Sequence, residues 1–226
     1  MRPLLQPAPL VLDPVARRLA RAGTITDLRA LAFRRAPRAV FDYTDGAAEA
    51  ELSLRRAREA FGRVEFVPRV LRDVSGVDAS TTMLGARSAL PLALAPTGFT
   101  RMMHTEGESA VARVAQRAGI PYGLSTMGTT SIEALAAAAP DVRRWFQLYL
   151  WRDRAASSEL VDRAAAAGYE ALMLTVDTPV AGARLRDVHN GLTIPPRLRL
   201  KLSLTGRCTP PGGSTCSPPS RCILRR

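Results

Sequence analysis

The chain has 226 residues, of which 46% are hydrophobic, and a formal net charge of +12. This allows one sizeable core, or one domain with part of another. No apolar run reaches the roughly 18 residues that a membrane span needs, and a start interrupted by Pro7 and Pro9 lacks the pattern of a signal peptide. The composition predicts a cytoplasmic protein.

The positive charge does not indicate nucleic-acid binding. Residues 1–196 contain 25 Lys and Arg against 20 Asp and Glu, whereas residues 197–226 carry seven bases and no acid. Aromatic residues make up only 5% of the chain and the bases are dispersed, whereas surfaces that bind nucleic acid cluster bases with aromatics. We therefore expect no nucleic-acid partner.

After an N-terminal extension, residues 1–24, the pattern from Leu28 to Gly62 predicts helices, the second over residues 48–61. The signals are a cap at Thr26, a break at Pro37, an i,i+4 pair of Glu51 with Arg55, and a stop at Gly62.

Four short apolar runs follow, with starts about 25–30 residues apart: Leu90–Ala95, Ile120–Leu124, Trp145–Leu150 and Ala171–Val176. Helical patterns separate them, so parallel strands with helices outside are expected. The helix signals are capping boxes of Thr105 with Glu108 and Thr130 with Glu133, stops at Gly119 and Pro140, and a third helix over residues 155–167 ended by Gly168.

Four such units fit half of a (β/α)8 barrel or a small doubly wound sheet. Polar residues cluster at the C-terminal ends of the predicted strands, where barrel enzymes place their chemistry; they are Pro96-Thr97, Ser125, Gln147, Tyr149, Thr175 and Asp177. No G-x-G-x-x-G follows a strand. We predict an α/β fold, with N-terminal helices plus roughly the first half of a (β/α)8 TIM barrel over residues 25–203.

Residues 204–226 differ in composition, being mostly Gly, Pro, Ser, Thr, Cys and Arg, and predict a disordered tail. Its cysteines, Cys208, Cys216 and Cys222, match no zinc spacing, so no metal site is expected. An ordinary disordered terminus and translation out of frame both explain the tail, and the abrupt change in composition favours the second.

Several short motifs occur in a fixed order: Phe41-Asp42-Tyr43-Thr44-Asp45-Gly46-Ala47, Phe66-Val67-Pro68-Arg69, Ala95-Pro96-Thr97-Gly98, Leu124-Ser125-Thr126, Gln147-Leu148-Tyr149, Thr175-Val176-Asp177-Thr178-Pro179, Gly182-Ala183-Arg184-Leu185-Arg186-Asp187-Val188 and Asn190-Gly191. Together they resemble the FMN-dependent 2-hydroxy-acid oxidases and dehydrogenases over roughly residues 25–200. Other flavin-dependent barrels lack Asp42-Tyr43 in combination with Gly182-Ala183-Arg184.

The resemblance implies FMN as cofactor, with Pro96, Thr97 and Gly98 at the ring. Ser125, Gln147 and Thr175 then bond the ring or the ribityl chain. By itself, the position of Ser125 or Thr175 is explained equally well by capping of a strand end. Gln147 is more informative, because a buried amide inside an apolar strand needs partners.

For the substrate, Arg184 matches the family's carboxylate-binding arginine, with Arg186 as the nearby alternative. Tyr43 matches the tyrosine that also contacts the carboxylate, and Tyr149 the one beside the hydroxyl. Asp177 resembles the carboxylate that orients the catalytic histidine, which is the general base. Without the resemblance, both tyrosines would be assigned to a half-buried core.

The chain departs from the family pattern because the catalytic His, a Lys, a second Arg and the phosphate-binding strands lie further along in the family and have no match here. Neither His104 nor His189 fits the position of the base. We therefore expect a truncated chain that is inactive by itself and binds FMN weakly.

The implied function is oxidation of a 2-hydroxy acid, with L-lactate to pyruvate as the first candidate and mandelate or glycolate behind it. A non-catalytic half-barrel remnant or binding module is the alternative. The family resemblance also implies a homo-oligomer for the intact protein and, for bacterial relatives, association with the inner face of the cell membrane.

Overall fold

The computed structural model describes residues 12–193, which fall into two units. The first unit holds residues 12–46 and 185–193 of the described part, and the second is Ala47–Arg184. The predicted tail, residues 204–226, and residues 1–11 of the predicted extension lie outside the described residues. In chain order the elements are α1 Pro14–Ala20, α2 Ile25–Arg35, α3 Arg38–Asp45, α4 Leu52–Phe61, β1 Thr81–Met83, β2 Ala86–Ser88, α5 Gly107–Ala118, β3 Tyr122–Ser125, α6 Ile132–Ala138, β4 Arg144–Tyr149, α7 Arg154–Ala166, β5 Ala171–Thr175 and α8 Leu185–Asn190.

The first unit consists of helices α1, α2, α3 and α8 within its described residues. The prediction that Thr26 caps the first helix was wrong, because Thr24 and Asp27 form the capping box at the start of α2. The Asp27 amide donates to Thr24 Oγ1 at 3.1 Å, and the Thr24 amide donates to Asp27 Oδ2 at 3.0 Å. The predicted break at Pro37 is confirmed, since it separates α2 from α3.

The sheet of the second unit has the order β3-β4-β5 with parallel neighbours, as predicted. The predicted strand over Leu90–Ala95 was wrong as a regular strand, because only Leu94 forms a parallel bridge, to Tyr122. Its amide donates to the Pro121 carbonyl at 2.9 Å. Pro91 and Pro96 have no N–H to donate to a ladder, which restricts pairing in this segment.

Helices α4 and α5 of the second unit end at the glycines that the sequence indicated, but their first residues differ from the predicted ones. α4 begins at Leu52 rather than near residue 48, and Gly62 follows its last residue as predicted. Gly119 ends α5 with a φ of 65°, in the left-handed region that glycine adopts without strain.

Both predicted capping boxes of the second unit were wrong. α5 has Glu106 at its N-cap without a side-chain cap, and Ser131 rather than Thr130 caps α6. The reason is that Glu108 and Thr130, assigned to separate boxes, bond each other: Thr130 Oγ1 donates to Glu108 Oε2 at 2.8 Å.

The core of this unit lies between one face of the sheet and helices α5, α6 and α7. Tyr122, Leu124, Phe146 and Leu148 project into it from β3 and β4. Alternation along a strand places Gly123, Ser125, Trp145, Gln147 and Tyr149 on the opposite face. The sheet therefore separates an apolar helix-covered face from a face that carries the polar residues.

Candidate active site

Ser125, Gln147 and Thr175, predicted from three separate motifs, form one hydrogen-bonded relay across the C-terminal ends of β3, β4 and β5. Ser125 Oγ donates to Gln147 Oε1 at 2.8 Å, and Gln147 Nε2 donates to Thr175 Oγ1 at 2.7 Å. The Met127 amide donates to Ser125 Oγ at 3.1 Å. Ser125 and Gln147 are buried, whereas Thr175 is partly exposed at the open end of the relay.

Tyr149 lies on the same face of β4 as Gln147 and is partly exposed. Its Cα pairs with that of Thr175 in the β4–β5 register. The Tyr149 amide is held by Thr126 Oγ1 at 3.1 Å. The backbone of Tyr149 is thus fixed at the end of β4, at the register position of Thr175 and on the same strand face as Gln147.

The loop of Pro96, Thr97 and Gly98 packs against the segment that follows β3. A Cβ on Gly98 would lie 2.9 Å from Met127 Cβ, and the Phe99 amide donates to the Met127 carbonyl at 2.9 Å. Pro96 in turn lies against Gly123, where an added Cβ would meet Pro96 Cδ at 3.0 Å. Two glycines therefore allow this loop to approach β3 closely.

Asp177 and Arg184 lie in the segment after β5. Asp177 is exposed, and Arg184 is partly exposed at the end of the second unit. The segment is anchored near its end, because the Glu49 amide donates to the Ala183 carbonyl at 2.7 Å.

Tyr43 belongs to the first unit, on α3, and is partly buried there. Asp42 and Asp45 on the same helix are bound by arginines, and one of these is Arg186, the alternative residue for the substrate carboxylate. Arg186 Nη1 lies 3.1 Å from Asp45 Oδ2 and 3.7 Å from Asp42 Oδ1, so its guanidinium is already engaged by carboxylates. The assignment of the substrate carboxylate to Arg184, with Arg186 as the alternative, stays a prediction.

The α3 carboxylates are held in their charged form. Arg29 Nη2 donates to Asp45 Oδ2 at 2.8 Å, and this arginine, with Arg186, lowers the pKa of Asp45 to about 2. Burial would raise the pKa of Asp42, but hydrogen bonds from Asn190 and Arg38 outweigh it, so that pKa is lowered as well. Ion pairs of Arg186 with Asp42 and Asp45 therefore hold helix α3, which carries Tyr43, against α8.

Glu108 is a buried acid that the sequence analysis assigned only to a capping box. The Thr129 amide donates to its Oε1 at 2.6 Å, and Thr129 and Thr130 hydroxyls also donate to the carboxylate. Burial would raise the pKa of Glu108, but hydrogen bonds to the carboxylate, that of the Thr129 amide first among them, lower it below the ordinary value. The signal available in the sequence was Thr129-Thr130 just after a strand, facing an acid at a helix start.

The two histidines lie in different units, His104 in the second and His189 in the first. His104 is exposed, and its Nδ1 accepts from the Glu106 amide at 3.3 Å; His189 is exposed on α8. Within residues 12–193, no cluster of three or more His, Cys, Asp or Glu side chains suits a metal ion. Nor does any helix among these residues have the length and apolarity needed to cross a bilayer.

A flavin suits the groups at the strand ends. Its pyrimidine edge presents carbonyl acceptors around an N–H donor, and the Gln147 amide offers both donor and acceptor while the Ser125 and Thr175 hydroxyls can do either. Gly98 leaves a stretch of backbone without a Cβ, to which a flat ring can come close. Parallel strands with this polar edge define part of a barrel-type flavin enzyme.

Comparison with known proteins agrees with that class. The FMN-dependent dehydrogenase family matches residues 32–217. A Mycobacterium tuberculosis protein provisionally named L-lactate dehydrogenase is 57% identical over 204 residues, which are 90% of this chain and 49% of the relative. Glycolate oxidase 5 of Oryza sativa subsp. japonica is 43% identical over 177 residues, 78% of this chain and 48% of that protein.

The fold agrees as well. The crystal structure of a monotopic membrane protein, (S)-mandelate dehydrogenase, superimposes with a TM-score of 0.76 at 38% identity, covering 82% of this chain and 49% of the other. The chain belongs to the FMN-dependent dehydrogenase family, whose cofactor is FMN. It spans about half the length of the curated relatives that it matches. The match extends past residue 204, where a tail was predicted to begin, and that boundary stays a prediction.

Proposed function

We propose that this chain provides the flavin-ring side and part of the substrate side of an enzyme that oxidises a 2-hydroxy acid, L-lactate being the first candidate. The observation that carries the proposal is the relay of Ser125, Gln147 and Thr175 at the strand ends. Family membership supports the reaction class. The lactate assignment is supported by 57% identity to the M. tuberculosis relative, against 43% to a glycolate oxidase.

For the cofactor, we assign the ring edge to Ser125, Gln147 and Thr175, and the backbone beside the ring to Pro96, Thr97 and Gly98. When bound, FMN supplies a two-electron acceptor for the substrate. The close packing of Gly98 on Met127 fixes the loop beforehand, so little ordering is needed when the ring binds.

For the substrate, Arg184 and Tyr43 bind the carboxylate and Tyr149 donates to, or accepts from, the 2-hydroxyl. Arginine suits this task because its planar fork matches the two oxygens of a carboxylate. Oxidation removes the hydroxyl proton, and the hydrogen from the carbon that bears the hydroxyl, and leaves a 2-oxo acid. Asp177 would orient the base that takes the proton, and the histidines of this chain do not fill that position.

The first experiment uses a chimera in which residues 32–193 replace the matching stretch of the M. tuberculosis relative. It is supplied with FMN, an electron-accepting dye and L-lactate, glycolate or (S)-mandelate in turn. We expect the highest kcat/KM with L-lactate, and a decrease of about tenfold or more in a Tyr149→Phe variant. Tyr169→Phe is the control. Tyr169 precedes the first residue of β5, and its hydroxyl donates to the Ile132 carbonyl, away from the C-terminal ends of the strands.

Two results would contradict the proposal: a chimera that binds no FMN, or Tyr149→Phe and Tyr169→Phe variants with the same kcat/KM. A preference for glycolate or mandelate would overturn the lactate assignment alone. The chain by itself should show no turnover, and turnover comparable with that of the intact relative would overturn that expectation.

A non-catalytic half-barrel module is the second candidate, favoured by the uncovered side of β5. Leu172 and Leu174 are each about half exposed, and Val176 beyond the strand is 81% exposed. A module of this kind should form a stable oligomer of defined size that binds no flavin. Light scattering of the purified chain with an FMN titration separates the two candidates.

For the intact enzyme we propose the inner face of the cell membrane, by analogy with the monotopic mandelate dehydrogenase.

A further inference from the structure

The hydroxyl of Thr126 joins β3 to β4 just beyond the last regular pair of the two strands, Ser125 with Gln147. Thr126 Oγ1 donates to the Gln147 carbonyl at 2.6 Å and accepts from the Tyr149 amide at 3.1 Å. The Thr126 amide donates to the same Gln147 carbonyl at 2.9 Å. One side chain therefore binds backbone groups on both sides of Leu148.

This arrangement replaces a bond that a regular ladder would make through the backbone. In a parallel pair of strands, a residue donates its amide to a carbonyl at position j of the neighbouring strand. Its own carbonyl then accepts the amide of position j+2 on that strand. Continued pairing would direct the Tyr149 amide to the Thr126 carbonyl. The hydroxyl accepts that amide instead, so the end of β4 is set by a side chain rather than by the ladder.

The two residues held in this way lie on the polar face of β4. Gln147 and Tyr149 are two positions apart and share that face, while Leu148 between them is buried in the core on the other side. The Gln147 side chain is fixed separately by Ser125 and Thr175. The Thr126 hydroxyl is the group that fixes the backbone from which both side chains project.

We propose that Thr126 is a positioning residue: its hydroxyl sets the end of β4 so that Gln147 meets the flavin edge and Tyr149 meets the substrate hydroxyl. The expected effect on flavin and substrate rests on the proposed function, whereas the hydroxyl bridge itself exists in the protein without cofactor. It distinguishes Thr126 from Ser125, whose hydroxyl belongs to the relay itself.

The test compares three variants of the full chain. Thr126→Val keeps the shape and removes both hydroxyl bonds, Thr126→Ser keeps the hydroxyl, and Thr44→Val is the control. Thr44 is exposed on α3 and its Oγ1 donates to the Val40 carbonyl, so its replacement removes a hydroxyl–carbonyl bond in the other unit. Hydrogen exchange of the Tyr149 amide and the Kd for FMN, from quenching of flavin fluorescence, are measured for each.

In Thr126→Val we expect exchange at Tyr149 to be about tenfold faster and the Kd for FMN to rise by about tenfold, as the loss of one or two hydrogen bonds implies. Thr126→Ser should restore both values and Thr44→Val should alter neither. Unchanged exchange at Tyr149, unchanged FMN affinity in Thr126→Val, or equal losses in the Val and Ser variants would each overturn the inference. Absence of FMN binding by the unaltered chain counts against the proposed function instead, and exchange at Tyr149 then decides whether the bridge exists.

Discussion

Gln147 Nε2 donates a hydrogen bond of 2.7 Å to Thr175 Oγ1, across the pair of strands β4 and β5. The same amide accepts from Ser125 on the other side, so a buried glutamine links three strands through one side chain. Each of these three residues comes from a different sequence motif, and neither of the two hydrogen bonds requires a ligand. The polar edge is therefore preorganised by the fold itself.

We expect replacement of Gln147 by Met to weaken both stability and FMN binding. The apolar side chain leaves the buried Ser125 hydroxyl without its acceptor, which costs about 1–3 kcal/mol of unfolding free energy. Urea unfolding and FMN titration measure the two effects. Gln116→Met is the matched control, because Gln116 bonds the exposed Asp141 at 3.2 and 3.4 Å on the helical side. Equal losses in both variants would show that the relay has no special importance.

Gly98→Ala should displace the loop of residues 96–98. The new Cβ would lie 2.9 Å from Met127 Cβ, closer than such atoms normally approach, so the loop or the segment after β3 must shift. A cost of about 1 kcal/mol and weaker FMN binding are expected, since overpacking a close contact typically costs 1–3 kcal/mol. Gly76→Ala is the control, because no atom lies within 4 Å of its added Cβ. If Gly98→Ala keeps the FMN affinity of the unaltered chain, the loop does not depend on this contact.

The sequence predicted the parts of this fold that depend on local pattern. The strands β3, β4 and β5 were found within two residues at each end, because each coincides with a short apolar run between two helical patterns. The polar residues at their ends were recognised because parallel strands bring such residues to one edge.

The errors arose where a side chain has two partners within reach. Glu108 and Thr130 each fit a capping box in their own helix, yet they bond each other across 22 residues of sequence. Arg186 fits a carboxylate site in the sequence as well as Arg184 does, and its contacts with two aspartates on α3 could not be predicted from the motif. Which partner a side chain binds depends on distances between residues far apart in the sequence, and local sequence patterns do not contain those distances.

The hairpin of β1 and β2 was missed for a different reason. Its strands have three residues each, too short for an alternation of apolar and polar residues to stand out. Leu84 and Gly85 at its turn both have positive φ, which a Leu-Gly pair signals only weakly.

Glu108→Gln should destabilise the second unit strongly, because a neutral amide with one acceptor atom replaces a buried carboxylate whose two oxygens accept charge-assisted hydrogen bonds from Thr129 and Thr130. A loss of about 2–4 kcal/mol in unfolding free energy is expected for a buried charged group with several hydrogen bonds. Glu106→Gln is the control; this exposed acid pairs with Arg113 on the surface, where such a change costs less than about 1 kcal/mol. Denaturant unfolding of both variants checks the difference. Similar values would mean that the carboxylate of Glu108 carries little of the stability of this unit.

Asp45 should make the first unit sensitive to acid. Its pKa is lowered to about 2 in the folded chain by Arg29 and Arg186, below the ordinary value of 3.8. A lowered folded-state pKa contributes stability above the unfolded-state value, and that contribution is lost as the pH falls from about 4 to about 2. Because Arg29 is half exposed, we expect about 1–2 kcal/mol rather than the full amount. Unfolding monitored from pH 6 to pH 2 should give a shallower decline in stability for Asp45→Asn than for the unaltered chain. Asp141→Asn, a change at an exposed acid in the other unit, should leave the decline of the first unit unaltered. Parallel declines in the unaltered chain and Asp45→Asn would show that the fastening of α3 to α8 does not depend on the charge of Asp45.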